Sequence, residues 1–167
     1  MKIRTIDANR IEFEIESEAE TDQFGRALAE LVEPGQVVGL VGTLGAGKTR
    51  LVRALAEALG VDPGAIASPT FVLIHEYLGR IPIYHFDAYR LNDPDAFDAL
   101  GAADYWNEGL GVCLIEWADL VVDRLPPSTW WIRIELRGAV GRAIRFESSE
   151  ADRLAAILDP PGESARG

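Results

Sequence analysis

The chain has 167 residues, with 16 Lys and Arg against 27 Asp and Glu, so its formal net charge is −11. This length is sufficient for one domain with a hydrophobic core, and an apolar fraction of 48% is typical of a globular protein. A protein that binds nucleic acid by itself needs a basic surface, because counterion release drives that binding. The acidic balance therefore argues against an autonomous RNA-binding protein, and we expect no DNA partner.

The composition also bears on the cellular compartment. Cys113 is the single cysteine, so no disulfide can form within the chain. The first four residues include Lys2 and Arg4, but no apolar segment of the kind found in secretory signals follows them. The longest apolar stretch, over 37–42, is too short to span a bilayer. We therefore expect a cytoplasmic protein without a membrane partner.

The first predicted elements lead into a glycine-rich turn. Apolar and acidic residues alternate over 11–16, which predicts a half-buried strand whose glutamates face water. The SEAE segment at 17–20 fits a capping box, so a helix is expected to begin there and to end before Pro34. A strand is predicted over 36–41, because the apolar residues that follow Gln36 are typical of a buried parallel strand. A helix over 49–59 is predicted after the turn.

Four further elements are predicted in the middle of the chain. Strands are expected over 71–77 and 81–86, joined near Gly79. The Asn-Asp-Pro segment at 92–94 is typical of a helix start. The apolar run over 112–115 predicts another buried strand.

A hairpin and a short helix complete the predicted elements. The hairpin strands are expected over 130–136 and 143–147, with their charged side chains facing solvent. Ser149 is expected to cap a helix that continues to Leu158.

The order of these elements predicts the domain organisation and the fold class. No repeat or linker divides residues 1–158, so they are expected to form one domain, followed by a flexible tail over 159–167. A strand, a glycine-rich turn, a helix and further buried strands indicate a three-layer α/β fold. Its sheet is expected to be mostly parallel at the centre, with antiparallel strands at the edges.

Residues 42–49 read GTLGAGKT and match the phosphate-binding pattern G-x-x-x-x-G-K-[ST] between a strand and a helix. Glycines let the backbone curl so that its N–H groups face phosphate oxygens, and the helix N-terminus adds partial positive charge. Lys48, one of only two lysines, can reach the β- and γ-phosphates, and the Thr49 hydroxyl can bind Mg²⁺. The pattern predicts a P-loop NTPase-like fold. The candidate nucleotide contacts of the loop are Gly42, Leu44, Gly45, Ala46, Gly47, Lys48 and Thr49.

Two carboxylates are candidates for the second acidic group of such a site. Glu116 follows the apolar run 112–115, at the end of a central strand, where α/β sheets bind ligands; it is the candidate for Mg²⁺. Asp87 follows a less apolar strand that Pro82 marks as peripheral, and it is a candidate for nucleotide contact. Each could instead be an ordinary surface carboxylate.

The sequence also narrows the class of nucleotide-binding protein. Guanine recognition by an Asn/Thr-Lys-x-Asp segment is excluded, because Lys2 is the only other lysine. Between residues 86 and 123 nine acidic residues accompany one basic residue, Arg90, so no arginine-bearing kinase lid is visible. ATP hydrolysis is therefore expected. A small-molecule kinase, and a nucleotide-gated binding module with little catalysis, stay open as alternatives.

Four sequence blocks, in order, carry a resemblance to a known family. They are GTLGAGKT at 42–49, SPTF at 68–71, HFDAYRL at 85–91 and IEW at 115–117. With these blocks, most of the chain resembles the TsaE family (also called YjeE), the bacterial P-loop ATPases of tRNA threonylcarbamoyladenosine biosynthesis. Thr43 stands where the family often has Asp, at a position that contributes backbone rather than side chain.

The resemblance implies a biological role and partners. Proteins of this family work with TsaD and TsaB, which transfer a threonylcarbamoyl group to an adenosine beside the anticodon of certain tRNAs. The family's ATPase is required for turnover but does not carry out the transfer. We therefore expect weak ATP hydrolysis that partners complete, and contact with tRNA only through those partners.

The resemblance also implies roles for individual residues. Lys48 would hold phosphates, Thr49 and Glu116 would hold Mg²⁺, and Asp87 would face the nucleotide and is a candidate for positioning the attacking water. Lys48 and Asp87 are thus the catalytic candidates. The remaining candidates for nucleotide contact are Thr21, Ser68, Thr70, Tyr89, Trp117 and Arg142.

Several of these residues have a second interpretation. Thr21 could cap its helix, and Trp117 could be a core residue rather than a stacking partner. Arg133, Arg137 and Arg145 alternate with apolar residues and are expected on the solvent face of the hairpin, whereas Arg142, after Gly141, matches a Gly-Arg of the family. His85 is expected to be a strand histidine rather than a metal ligand. The aspartates at 93, 95 and 98 form a candidate docking face, or a merely solvated one.

Overall fold

A computed structural model describes residues 1–66, 73–91 and 94–160. In these ranges the strands are β1 (Lys2–Asp7), β2 (Arg10–Ile15), β3 (Val37–Val41), β4 (Ile74–Leu78), β5 (Pro82–Asp87), β6 (Val112–Glu116), β7 (Trp130–Arg137) and β8 (Gly141–Glu147). The α-helices are α1 (Glu18–Ala29), α2 (Lys48–Ala58), α3 (Pro94–Ala99), α4 (Ala102–Asn107) and α5 (Ala151–Leu158). Short 3-10 helices cover Pro63–Ala65, Ala88–Arg90 and Ala118–Arg124.

All the strands belong to one sheet in the order β1-β2-β8-β7-β3-β6-β5-β4. The central strands β7, β3, β6 and β5 run parallel to one another. The pairs β1–β2, β2–β8, β7–β8 and β4–β5 are antiparallel. The predicted fold class, with a mostly parallel centre and antiparallel edges, is confirmed.

Helices cover both faces of the sheet because side chains alternate along each central strand. Val38 and Leu40 of β3 lie in the larger core, which includes residues of α1, α2 and α5. Val37 faces the other way, into the smaller core with Phe97 of α3 and Ala102 of α4. Strands enclosed on both faces need continuous apolar sequence, which explains why the runs that form β3 and β6 were recognisable.

The parallel centre determines where the functional residues lie. Strands β3, β5 and β6 are neighbours that run in one direction, so their carboxyl ends meet at the same edge of the sheet. The glycine-rich loop follows β3, Asp87 ends β5 and Glu116 ends β6. Asp87 pairs directly with Glu116 in the β5–β6 register. The loop and both candidate carboxylates therefore converge at this edge.

The Ser17 half of the capping box predicted at 17–20 is confirmed, and so is the helix start. The Ser17 side chain is the N-cap of α1 and accepts a hydrogen bond from the Glu20 backbone N–H at 3.3 Å. The Glu20 carboxylate reaches back to the Glu16 backbone N–H at 2.6 Å and also contacts the Met1 ammonium. These bonds hold the start of α1 against the N-terminal residues.

The structure corrects two predictions about local sequence signals. Pro82 does not mark a peripheral strand: β5 lies between β6 and β4, and Pro82 is tolerated because it is the first residue of the strand. Ser149 does not cap the last helix, because α5 begins after Glu150, whose side chain makes no capping bond. Ser148 instead accepts a hydrogen bond from the Glu150 backbone N–H at 3.0 Å.

Strand β1, helix α4 and the three short 3-10 helices were not predicted, and some predictions lie outside the described ranges. β1 was missed because five of its six residues are exposed, so it has no alternating apolar pattern. Helix α4, a short helix after Gly101, was also missed. The expected strand residues 71–72, the helix start at 92–93 and most of the expected tail lie outside the described residues. No helix in the described part of the chain is long and apolar enough to cross a bilayer.

Candidate nucleotide-binding site

The glycine-rich loop turns tightly between β3 and α2. Gly45 and Gly47 have φ values of 77° and 111°, in the left-handed region that glycine adopts without a steric penalty. Gly42 passes so close to β7 that an added Cβ would lie 2.6 Å from the carbonyl oxygen of Ile134. The loop therefore needs glycine for two reasons, backbone conformation and close approach. Its backbone leads directly into the N-terminal turn of α2, where free N–H groups favour anions.

Lys48 is enclosed by this loop. Its side chain is buried, and its Nζ donates hydrogen bonds to the carbonyl oxygens of Gly42 at 2.5 Å and Thr43 at 3.1 Å. Burial lowers the pKa of the ammonium, and the nearby Glu116, Asp119 and Asp87 act in the opposite direction. The loop thus holds a cation whose present partners are neutral carbonyls, and phosphate oxygens are stronger acceptors for such a group.

Thr49 and Glu116 meet beside Lys48, although 67 residues separate them in the sequence. The Thr49 hydroxyl donates to the Glu116 carboxylate, with its oxygen 2.9 Å from Oε1 and 3.2 Å from Oε2. Both side chains offer oxygen atoms, which are the ligands that Mg²⁺ prefers. The described residues contain no group of three or more His, Cys, Asp or Glu that could hold a metal. The pair fits a Mg²⁺ ion that takes its remaining ligands from phosphates and water, as is usual for nucleotide sites.

His85 also contacts Glu116, which sequence reasoning did not anticipate. The His85 ring is 1% exposed, and its Nε2 lies 2.9 Å from Glu116 Oε1. The prediction that His85 is a strand residue is correct, since it belongs to β5. The spacing of His85 and Asp87 places both on one face of β5, but the contact with Glu116 depends on β5 lying beside β6.

Asp87 is held at the end of β5 by local contacts. Its Oδ1 accepts a hydrogen bond from the Tyr89 backbone N–H at 3.2 Å, and its Oδ2 lies 3.3 Å from Nε of Arg90. The side chain is largely buried and belongs to the residue that pairs with Glu116. Asp87 is therefore a carboxylate of restricted mobility, beside the Thr49–Glu116 pair rather than at an ordinary surface position.

Trp117 lies over the Lys48 ammonium. The centroid of its ring is 3.8 Å from Lys48 Nζ, a cation–π distance, and 4.8 Å from the ring centroid of Tyr89. Among the described residues Trp117 is the only non-glycine with positive φ, at 58°. The half-buried side chain packs against the smaller core while its ring faces the site. The two interpretations of Trp117 thus overlap, and stacking on a base stays a prediction.

Arg142 reaches the loop from β8. Its Nε donates a hydrogen bond to the Ala46 carbonyl oxygen at 2.9 Å, and it lies against Gly47, where an added Cβ would be 3.4 Å away. The contact brings Arg142 to the loop itself rather than to a remote solvent face. Whether it touches a nucleotide stays a prediction.

One further candidate is described by the structure, and two are not. Thr21 is 1% exposed inside α1, and Ser17 caps that helix, so the capping interpretation of Thr21 is wrong. Its nucleotide contact stays a prediction. Ser68 and Thr70 lie outside the described residues.

Comparison with known proteins shows which family the chain belongs to. The family model described as "Threonylcarbamoyl adenosine biosynthesis protein TsaE" matches residues 15–144. The chain belongs to the TsaE family. The resemblance inferred from the four sequence blocks is thereby confirmed, and the matched range contains each of those blocks.

Relatives within the TsaE family are similar over most of their length. The tRNA threonylcarbamoyladenosine biosynthesis protein TsaE of Bacillus subtilis (strain 168) is 41% identical over 128 residues, which are 76% of this chain and 78% of that protein. The protein of the same name from Treponema pallidum (strain Nichols) is 43% identical over 121 residues, 72% of this chain and 87% of that protein. The crystal structure of Bacillus subtilis YdiB is similar with a TM-score of 0.70 and 32% identity, and the match covers 95% of each chain.

Two grooves differ in their relation to the TsaE-family loop. One of about 440 Å³ lies between α1 and α2, and Thr49 and Arg50 contribute to its wall. The other, of about 750 Å³, is lined by Gln36 and Trp130, residues before or at the start of parallel strands, and thus lies at the opposite edge of the sheet. Thr49 lines only the smaller of these two grooves, so that groove is the one that opens beside the loop.

Proposed function

We propose that this TsaE-family chain binds ATP with Mg²⁺ and hydrolyses it in support of tRNA threonylcarbamoyladenosine modification. The observation that carries the proposal is the meeting of the Thr49 hydroxyl and the Glu116 carboxylate beside the buried Lys48. The names of the similar proteins supply the pathway, since they are tRNA threonylcarbamoyladenosine biosynthesis proteins.

Lys48 and the loop backbone bind the phosphates in this proposal. The ammonium has three N–H donors, and in the structure two of its acceptors are the loop carbonyls of Gly42 and Thr43. Phosphate oxygens that enter the loop can replace one or both of these carbonyls at little cost, because Lys48 is already desolvated and oriented. The N–H groups at the start of α2 supply further donors to the same anion.

Thr49 and Glu116 would hold the Mg²⁺ ion. When bound, this ion would neutralise charge on the β- and γ-phosphates. The hydrogen bond between the two side chains keeps both oxygens at one place before the ion arrives. Hard oxygen donors of this kind suit Mg²⁺ better than Zn²⁺, which favours nitrogen and sulfur.

Asp87 orients the water in this proposal. A carboxylate can accept a hydrogen bond from a water molecule and direct the water oxygen towards the γ-phosphorus. The oxygen of that water then forms a bond to phosphorus while the bond to the ADP oxygen breaks, which yields ADP and phosphate. The contacts from Tyr89 N–H and Arg90 keep Asp87 in place without using every acceptor position of the carboxylate.

We propose that the TsaD and TsaB proteins complete this site. Arg90 lies 3.3 Å from the Asp87 carboxylate, whose charge offsets its own, so in this proposal a partner supplies the cation for the transition state. Large exposed apolar side chains follow the carboxyl ends of the parallel strands, including Leu44, Tyr89, Val122 and Val140. Such a rim is suited to a protein surface. The net charge of −11 leaves contact with tRNA to the partners.

ATP turnover with and without the TsaD–TsaB pair tests this proposal. An arginine or comparable group supplied by a partner raises rates by about 10³- to 10⁵-fold in related chemistry, so a clear stimulation is expected. Equal rates would contradict completion by the partners. With γ-labelled ATP the label should be recovered as inorganic phosphate, and a stable phosphorylated acceptor would instead indicate a kinase.

A further inference from the structure

Glu116 is held from two sides. Thr49 at the start of α2 donates to its carboxylate, and His85 of β5 contacts the same oxygen, Oε1, at 2.9 Å. Both residues are far from Glu116 in sequence, at separations of 67 and 31 residues. The carboxylate is itself buried.

The sheet register explains the His85 contact. Strands β5 and β6 are parallel, with His85 opposite Leu114 and Asp87 opposite Glu116. Leu114 and Glu116 are two residues apart and share a face, the one on which Leu114 contacts the larger core beneath α2. His85 lies on this face as well, one diagonal step from Glu116. A diagonal neighbour of this kind is within reach of a long side chain.

The His85 ring is fixed by packing. It is 1% exposed, and its centroid lies 6.4 Å from the rings of both His75 and Tyr77 on β4. A buried hydrogen bond in such surroundings is electrostatically stronger than one in water. The ring therefore has little freedom to move away from Glu116.

The contact also favours one ring tautomer, with hydrogen on Nε2. Glu116 Oε1 is an acceptor, so His85 Nε2 must carry a hydrogen for the 2.9 Å contact to be attractive. His85 Nδ1 is buried without a hydrogen-bond partner among the described residues. An Nε2–H tautomer satisfies the carboxylate and avoids burying a second N–H donor that has no acceptor.

We propose that His85 is a positioning residue, which donates Nε2–H to Glu116 Oε1 and so keeps this carboxylate directed at the Mg²⁺ position. The inference rests on the proposed role of Glu116 in holding the ion. Thr49 would itself bind the ion, so its hydrogen bond to Glu116 positions the carboxylate only until the ion binds. The His85 bond does not compete with the ion for Thr49 and can persist afterwards. Substitution of a residue that hydrogen-bonds to a metal ligand typically lowers the affinity for the metal by about 10- to 100-fold.

Binding of Mn²⁺ to the protein–ADP complex, measured by electron paramagnetic resonance, tests the role of His85. His85→Phe keeps a planar ring but removes the donor, and we expect it to weaken Mn²⁺ binding by about 10- to 100-fold. His85→Gln keeps an N–H donor and should recover most of the affinity. The matched control is His75→Phe on the neighbouring strand, which should bind Mn²⁺ like the unmodified protein. ADP affinity in EDTA should change less than about twofold in each variant, because the phosphate-binding loop is intact.

The outcomes separate this inference from the proposed function. Wild-type Mn²⁺ affinity in His85→Phe, together with a loss in Glu116→Gln, would overturn the role of His85 and leave the metal site standing. Unchanged affinity in Glu116→Gln would remove the metal assignment and the inference with it. An equal loss of ADP affinity in EDTA would show that His85 is merely structural and would also overturn the proposal.

A second measurement needs no substitution and so does not depend on the folding of a variant. Long-range ¹H–¹⁵N correlation spectra of the histidine rings report which nitrogen carries hydrogen. We expect hydrogen on Nε2 of His85. A ring that carries hydrogen only on Nδ1 would contradict the proposal, since Nε2 would then face Glu116 as a second acceptor.

Discussion

At the scale of single residues, Lys48 is a cation that the chain has largely removed from water. Its Nζ lies between two loop carbonyls and the face of Trp117, and burial lowers its pKa despite nearby carboxylates. Removing a charged group from water is costly unless its hydrogen bonds are replaced. The loop carbonyls and the aromatic face provide that replacement, and they leave the ammonium oriented towards the site where phosphates would bind.

Replacement of this lysine should therefore act on nucleotide binding. Lys48→Ala removes a charge-assisted hydrogen bond to phosphate, so we expect the affinity for ATP to fall by at least about 10- to 100-fold. Isothermal titration calorimetry measures the change. The matched control is Lys2→Ala. Lys2 is the chain's other lysine; its side chain is exposed, and its Nζ lies 3.8 Å from Glu14 Oε2 in a surface ion pair that contributes little to stability. Equal ATP affinity in both variants would remove the loop from the proposed function.

At the scale of elements, the contact between α1 and α2 supports the helix that begins at the loop. Gly25 of α1 crosses α2 so closely that an added Cβ would lie 2.7 Å from the Ala54 Cβ and 3.1 Å from the carbonyl oxygen of Leu51. Neither atom belongs to the end of a flexible side chain, so neither can move without shifting a helix. The small residue at this crossing thus determines how near α2 approaches α1.

Gly25→Ala should consequently destabilise the fold, although alanine is the better helix former. We expect overpacking to lower the free energy of unfolding by about 1–3 kcal/mol, measured by urea denaturation. In the control Gly64→Ala, an added Cβ would meet only the end of the Asp62 side chain at 3.3 Å. That variant should stay within about 0.5 kcal/mol of the unmodified protein. A Gly25→Ala protein as stable as its parent would show that the two helices separate easily.

Local sequence was informative where one element contained the whole signal. The segment over 36–41 predicted β3, because a strand buried on both faces needs consecutive apolar residues. The GTLGAGKT segment predicted the loop and the start of α2, because left-handed backbone positions require glycine. The edge strand β1 left no such mark, since its side chains are mostly exposed. Pro82 misled because a proline at the first residue of a strand is compatible with a position inside the sheet.

The site was predictable in its residues but not in its contacts. Thr49 and Glu116 were assigned to one ion from the motif and the strand end, and the structure brings their side chains together. The contact of His85 with Glu116 depends on β5 lying beside β6. Strand order is a property of the whole sheet, so no pattern within either strand could supply that contact. The bond from Arg142 to Ala46 depends in the same way on the position of β8.

At the scale of the whole molecule, the acidic residues are unevenly distributed along the chain, and Arg124 neutralises part of their charge. Nine acidic residues occupy 86–123 with one basic residue, but Arg124 lies just beyond this range. It bonds to Asp98 at 2.7 Å and to Asp95 at 3.0 Å, which ties α3 to the 3-10 helix after β6. Asp93 lies outside the described residues. The docking face suggested by these aspartates is thus a structural link as well as a charged surface.

Neutralising this face tests whether partners use it. With Asp93, Asp95 and Asp98 changed together to Asn, we expect TsaD–TsaB binding to weaken several-fold at low salt and much less at about 0.5 M salt, where screening is strong. The control changes Glu16, Glu30 and Glu33 to Gln, which removes the same charge from exposed positions elsewhere. Equal effects of the two triple variants would indicate that net charge alone matters, and no effect in either would show that the partners do not use this face.

Reconstituted tRNA modification with purified TsaD and TsaB is the measurement that tests the central claim most directly. The reaction is scored as threonylcarbamoyladenosine formed per TsaD–TsaB complex over many turnovers, with this chain, with Lys48→Ala and with neither. The proposed function predicts sustained formation of modified tRNA with the unmodified chain, accompanied by release of phosphate from ATP, and little beyond the first turnover in the other two reactions. Equal yields in all three reactions would contradict it.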